Sequence, residues 1–233
     1  MRTEKLKGKT AVVTGAAGTM GRAVVVALAA DGLRVIGLDL RPAKGCVVCD
    51  ISDPAAVART IRGVGRVDVL VNNAGILSNN KSAATTPEEW RRVLAANLDG
   101  AFYLSRAVIP GMKKRRWGRI VNTCSLAAKT GGLTAGTAYS TSKGALTSLT
   151  FSLARELAPY GVTVNGISPA YVNTPMVTKQ LTAAQRRAVL AQIPVGRFCE
   201  PEEFAHVVRF LVHPLAGFIT GEIVDLNGGV VMD

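Results

Sequence analysis

Short apolar runs alternate with longer amphipathic stretches along the whole chain. Lys9 to Thr14 (K-T-A-V-V-T), Leu33 to Leu38, Cys46 to Cys49, Val67 to Val71, Arg119 to Cys124, Val162 to Ile167 and Ile223 to Leu226 are rich in Val, Ile and Leu. That is the pattern of strands buried on both faces of a parallel sheet. Between them, Arg22 to Ala30, Asp53 to Arg62, Pro87 to Pro110, Tyr139 to Leu157, Thr178 to Gln192 and Glu200 to His213 read as helices. Their ends carry the expected signals: Glu88 and Glu89 in a first turn, Pro201 near an N-terminus, Pro159 and Gly161 as a stop. Arg41 to Gly45 is too short for a helix. Strands alternating with helices predict an α/β fold, a doubly wound parallel sheet of seven strands with helices on both faces. No internal repeat or compositional break marks a second unit, so residues 1–233 are expected to form one domain, with a mobile helical lid around 174–195.

Composition narrows the function. At 233 residues and 48% hydrophobic, the chain can bury a large core. Its apolar runs are too short to span a bilayer, and the basic first nine residues lead into no continuous apolar segment. The expectation is a soluble, cytoplasmic protein. A net charge of +12 raises nucleic acid as a partner. The densest cluster, Lys113-Lys-Arg-Arg116 with Trp117 and Arg119, reads as a solvated loop after a helix ending near Met112, and the other cations are scattered. No nucleic-acid-binding motif accompanies them, and a basic field also attracts anionic cofactors. Cys46 and Cys49 have C-x-x-C spacing but sit in a strand, where residues three apart face opposite ways, so packing is their expected role. His206 and His213 read as ordinary helix residues. No metal site is expected.

The chemistry gathers where strands end. Gly15-Ala-Ala-Gly18-Thr-Met-Gly21 joins the first strand to the first helix. Glycines let the backbone turn and approach a pyrophosphate, and the helix N-terminus offers free N–H groups, so the context points to a dinucleotide. Asp39 ends the second strand, where a carboxylate accepts from adenosine ribose hydroxyls and repels a 2′-phosphate; this argues for NAD rather than NADP, with Arg41 nearby as the complication. Asn72-Asn-Ala-Gly75 follows the fourth strand and suits a backbone pressed on a flat ligand. Asn97 stands inside a helix, where Asn is a poor former. Tyr139 and Lys143 are four apart on one helical face, and a neighbouring ammonium is expected to lower the phenol's pKa. Ser125 follows the fifth strand. Gly15, Asp39, Asn73, Ser125 and Thr174 all follow strands and so converge on one sheet edge.

Together T-G-A-A-G-T-M-G (14–21), D-I (50–51), N-N-A-G (72–75), Asn97, Ser125, Y-S-T-S-K (139–143), N-G-I-S-P-A (165–170), T-P-M (174–176) and I-T-G-E-I-V-D-L-N-G-G (219–229) resemble the short-chain dehydrogenase/reductases over nearly the whole chain. The resemblance implies a Rossmann-type sheet, NAD(P) binding and commonly a homotetramer. It implies a catalytic tetrad at Asn97, Ser125, Tyr139 and Lys143. Tyr139 would exchange the proton, Ser125 would bond the reacting oxygen, and Asn97 would support a water in a proton relay. Cofactor contacts fall on Gly15, Gly18, Thr19, Met20, Gly21, Asp39, Asp50, Ile51, Asn73, Ala74, Gly75, Pro169, Val172, Thr174 and Met176, beside Tyr139 and Lys143. Ile76, Leu126, Leu133, Tyr171, Met176 and Val177 would face the substrate, while Lys129 and Lys179 are expected at the surface. Two positions depart from the family pattern: Thr19 stands where glycine is usual, and Ala170 replaces the glycine after Pro169. The reading is an NAD-dependent oxidoreductase acting on a small secondary alcohol or ketone. The rival is a 3-oxoacyl-[acyl-carrier-protein] reductase, for which Arg115-Arg116 near the pocket entrance would meet an acidic carrier. A non-catalytic dinucleotide binder is opposed by the complete tetrad.

Overall fold

The computed structural model describes residues 6–175 and 182–232. The strands are β1 (Thr10–Thr14), β2 (Arg34–Asp39), β3 (Cys46–Val48), β4 (Val69–Asn72), β5 (Gly118–Thr123), β6 (Val162–Pro169) and β7 (Ile223–Leu226). They form one sheet, ordered β3-β2-β1-β4-β5-β6-β7, with every pairing parallel. The helices are α1 (Thr19–Ala30), α2 (Pro54–Val64), α3 (Pro87–Leu94), α4 (Gly100–Arg115), α5 (Ala127–Thr130), α6 (Thr137–Leu157), α7 (Ala183–Leu190) and α8 (Pro201–Val212). The doubly wound α/β fold expected from the pattern is present.

Alternate residues of each strand enter opposite cores. Val12, Leu38, Leu70, Ile120 and Val164 pack with Leu104, Met112 and Leu157 on one face. Ala11, Val13, Val69, Val71 and Val121 pack with Val24, Leu28, Phe204 and Leu211 on the other. Each large side chain so buried contributes about 1.5–3 kcal/mol. β1 lies between β2 and β4, so the chain leaves it in opposite directions and opens a crevice at the carboxyl edge.

The long helix departs from the sequence expectation twice. It does not end at Pro110: α4 runs on to Arg115 and stops at Arg116, whose φ of 52° is left-handed. The missing N–H at Pro110 is offset because the extra turn buries Met112 completely and brings Arg115 to the Val67 carbonyl. A π turn at Ala95–Asp99 joins α3 to α4, and its wider ring turns Asn97 inward to 1% exposure.

The basic cluster is therefore a helix end, not a solvated loop. Arg115 Nε lies 3.4 Å from Asp68, which Arg66 also pairs at 2.9 Å and which accepts the Thr10 N–H at 3.0 Å. Arg116 donates to the Pro159 carbonyl, and Lys113 sits 4.1 Å over the Tyr160 ring. All of this lies at the amino edge of the sheet, opposite the crevice, so the expectation that Arg115 and Arg116 flank a pocket entrance fails. Cys49 joins a core cluster while Cys46 stands against Gly37, and both thiols are free. Among the described residues no helix is long and apolar enough to cross a membrane.

Candidate active site

The crevice begins with the turn after β1. Gly15 has φ +65°, and a Cβ there would stand 3.0 Å from Ala74 Cα and Asn73 Nδ2. A Cβ on Gly21 would collide with the Gly15 carbonyl, so the first turn of α1 can press against the loop only as glycine. Thr14 Oγ1 accepts the N–H groups of Asn73 and Ala74, both at 2.9 Å, and Asn73 Nδ2 donates to the Thr14 carbonyl. Asp39 accepts Ala17 N–H on one carboxylate oxygen and Arg41 N–H on the other, each at 3.0 Å. Gly18 caps α1 with no side chain, which leaves the helix N-terminus facing the crevice, as a phosphate requires. The resulting cleft, about 620 Å3, is lined by Gly15, Gly18 to Gly21, Asp39, Arg41, Asp50, Ile51, Asn73 to Ile76 and Thr174.

A second cavity, about 410 Å3, opens beside it, lined by Leu77, Asn79, Ser125, Leu126, Leu133, Ala135, Tyr139, Ala170, Tyr171 and Gln185. Its walls are stitched together. Gly136 N donates to the Ser78 carbonyl at 2.6 Å, Thr137 N to the Asn80 carbonyl at 3.0 Å, and Lys81 Nζ to the carbonyls of Gly132 and Ala135. Glu89 accepts from Ser78 and Asn80, and these two bonds hold its carboxyl below the usual range. Thr134 and the Tyr171 hydroxyl, 3.2 Å apart, close the far side.

Where the cavities meet stands the polar cluster. Ser125 Oγ accepts Ala127 N–H at 3.1 Å, and Ser125 and Tyr139 both line the second cavity. Burial pushes the phenol above its ordinary value, and the Ser125 hydroxyl pulls it part of the way back. Lys143 is 3% exposed, and burial pulls its pKa down to about 8. Its Nζ donates to the Thr123 carbonyl at 2.7 Å and lies 5.8 Å from the centre of the Tyr139 ring. This corrects the expectation that the lysine lowers the phenol: desolvation outweighs a cation that faces a main-chain oxygen instead. Gly75 forms the floor between cleft and cluster; a Cβ there would stand 3.1 Å from Asn97 Oδ1 and 3.5 Å from Lys143 Nζ.

The sequence model of the family described as Enoyl-(Acyl carrier protein) reductase matches residues 15–231. The 3-oxoacyl-[acyl-carrier-protein] reductase FabG of Vibrio cholerae is 40% identical over 97% of this chain and 99% of its own, and the Escherichia coli protein of the same name is 39% identical over 97% and 98%. Among solved structures, the ligand-free aldohexose dehydrogenase of Thermoplasma acidophilum has a TM-score of 0.89 at 34% identity, covering 97% of this chain and 94% of that one. A putative NAD(P)-dependent gluconate 5-dehydrogenase of Beutenbergia cavernae with bound NADP has a TM-score of 0.90 at 34% identity, covering 97% and 98%. The chain belongs to the short-chain dehydrogenase/reductases. It is an oxidoreductase acting on CH–OH and C=O groups with a nicotinamide dinucleotide.

Most positions expected of such an enzyme fall where the chemistry needs them, but not all. Gly15, Gly18, Thr19, Met20, Gly21, Asp39, Asp50, Ile51, Asn73, Ala74, Gly75 and Thr174 line the cleft. Pro169 and Val172 do not: both are buried, Pro169 accepting Leu126 N–H and Val172 bridging to Cys199. Met176, Val177 and Lys179 lie outside the described residues, as does the first part of the expected lid helix; the described part, α7, starts after a Thr182–Gln185 capping box. Ile76 lines the dinucleotide cleft rather than the second cavity. Lys129 pairs with Asp225 at 2.6 Å. The Asn97 side chain is fully engaged: Oδ1 accepts Ile76 N–H at 2.8 Å, and Nδ2 donates to the Ile76 carbonyl and to Ser142 Oγ, both at 3.0 Å. Thr14, Lys81 and Ser142 escaped the sequence reading. Thr14 and Ser142 sit inside the quoted motifs, and nothing in the sequence marks Lys81.

Proposed function

We propose that this short-chain dehydrogenase/reductase reduces the 3-oxo group of an acyl thioester to the 3-hydroxy compound, using NADH. The observation that carries the reading is the Tyr139 phenol beside Ser125, facing a cavity with an apolar wall of Leu77, Leu126, Leu133 and Ala135. That wall suits an acyl chain. The extended similarity to proteins named 3-oxoacyl-[acyl-carrier-protein] reductase supports the same choice over a small secondary alcohol.

The dinucleotide would lie along the cleft, its phosphates against the α1 N-terminus and its ribose hydroxyls toward Asp39 and Lys143. When bound, its nicotinamide supplies the hydride. The protein's own part is acid–base and positional. Tyr139 donates its proton to the developing alkoxide, a role that a phenol kept neutral by burial is ready for at neutral pH. Ser125 donates to the same oxygen and fixes the carbonyl. Lys143, protonated below about pH 8, sets a positive charge near that oxygen.

Two main-chain N–H groups hold the Asp39 carboxylate in place at the cleft rim, which supports NADH over NADPH, against the NADP bound in the gluconate 5-dehydrogenase neighbour. Steady-state assays with the N-acetylcysteamine thioester of acetoacetate test both parts. The expected result is turnover, with kcat/KM for NADH at least about tenfold above NADPH, a difference of ~1.4 kcal/mol. Failure to reduce the thioester while aldoses are oxidised would replace the substrate assignment, and a preference for NADPH would replace the cofactor assignment.

A further inference from the structure

We infer that Ser142 is a positioning residue for proton transfer: its hydroxyl joins the Tyr139 carbonyl to the Asn97 amide and so sets where the phenol stands over the floor of the cleft. The inference rests on the reading of Tyr139 as the acid–base group. Ser142 is on the inward side of α6, between Tyr139 and Lys143, with no solvent exposure. Its Oγ donates to the Tyr139 carbonyl at 2.7 Å and accepts from Asn97 Nδ2 at 3.0 Å. Asn97 reaches it because the π turn points that side chain inward, and the remaining amide groups of Asn97 hold both the N–H and the carbonyl of Ile76. A continuous line of hydrogen bonds thus runs from the backbone beside Gly75, through Asn97 and Ser142, to the backbone of Tyr139.

A serine hydroxyl that bonds back along its own helix is common and needs no partner outside it. Here the same oxygen also takes a buried amide hydrogen from another element. Removing it leaves that hydrogen without its acceptor and uncouples the two walls at the point where cleft and polar cluster meet. The side chain touches neither cavity. Its influence must therefore pass through Tyr139 and Asn97, which separates it from a group that contacts substrate.

The test measures wild type, Ser142→Ala, Asn97→Ala, the double variant and Tyr139→Phe, with the N-acetylcysteamine thioester of acetoacetate and NADH. Kd for NADH is read by fluorescence titration, and kcat is followed across pH. Ser142→Ala is expected to lower kcat about tenfold, or ~1.4 kcal/mol, while leaving the NADH Kd within about twofold. The ionisation in its kcat profile should move upward, because a displaced phenol loses part of the effect of Ser125 that lowers it. The double variant should be no slower than the slower single variant, since the two residues act as one unit. A Ser142→Ala kcat within about twofold of wild type, an equal loss in NADH binding, or losses that add in the double variant would overturn the inference. Tyr139→Phe separates the two levels. If it stays active, the acid–base reading falls and this inference with it; if it is dead while Ser142→Ala is unaffected, only the role of Ser142 is lost.

Discussion

The Lys143 ammonium donates to the Thr123 carbonyl at 2.7 Å, at the point where β5 gives way to Ser125. The cation is thereby anchored to the sheet edge as well as to α6, and it is almost wholly buried.

Burial of this group links stability to pH. The folded-state pKa of about 8 is below the ordinary 10.5, so between those values the unfolded chain binds more protons than the folded one. Folding stability is therefore penalised below about pH 8, and the penalty is relieved as pH rises toward 10.5, by at most about 1.4 kcal/mol per pH unit. Urea unfolding of wild type and Lys143→Met across this range should show wild type gaining on the variant as pH rises. Parallel curves would mean that the ammonium is solvated.

Removing the Tyr139 hydroxyl should abolish proton donation while sparing the dinucleotide cleft, which Tyr139 does not line. Tyr139→Phe is expected to lower kcat by about 100-fold or more, with NADH affinity nearly unchanged. Single-turnover kinetics beside a binding titration checks this, and a third of the wild-type rate would refute the assignment.

Asp39 does two things at once, since it braces Ala17 in the glycine turn and presents negative charge at the cleft rim. Asp39→Ser should narrow or reverse the preference for NADH and also weaken both dinucleotides, because Ala17 N–H loses its acceptor. Measuring kcat/KM with each dinucleotide distinguishes this from a charge effect alone, which would leave NADH affinity untouched.

At the amino edge, Asp68 is fully buried between Arg66, Arg115 and the Thr10 N–H. Asp68→Ala should destabilise the fold by about 3 kcal/mol, since it strands a partly buried guanidinium and an N–H group. Activity per folded molecule should be unchanged, because the cluster is at the opposite edge from both cavities. Thermal unfolding together with kcat at low temperature tests both halves.

The strands were readable because a parallel sheet covered on both faces needs unbroken apolar runs, as Ala11 to Val13 and Val69 to Val71 show. Gly15, Asp39 and Asn73 were readable because the fold gathers strand ends at one edge. The π turn was not: Ala95 to Asp99 has no local signal for an extra residue per turn, and Asn97 lies inside it. Helix spacing put Tyr139 and Lys143 on one face but could not show which way the ammonium points. Pro110 misled because the gain from Met112 and Arg115 comes from distant strands, which a local rule cannot weigh. The role of Ser142 depends on Asn97, 45 positions away.

The main-chain bonds from Gly136 and Thr137 to Ser78 and Asn80, with Lys81 clamped on Gly132 and Ala135, join two separate loops into one plate. Reshaping substrate preference by grafting only one of these loops from a relative would break the plate along its seam. Swaps that exchange residues 77–82 and 131–137 together should keep the cavity intact.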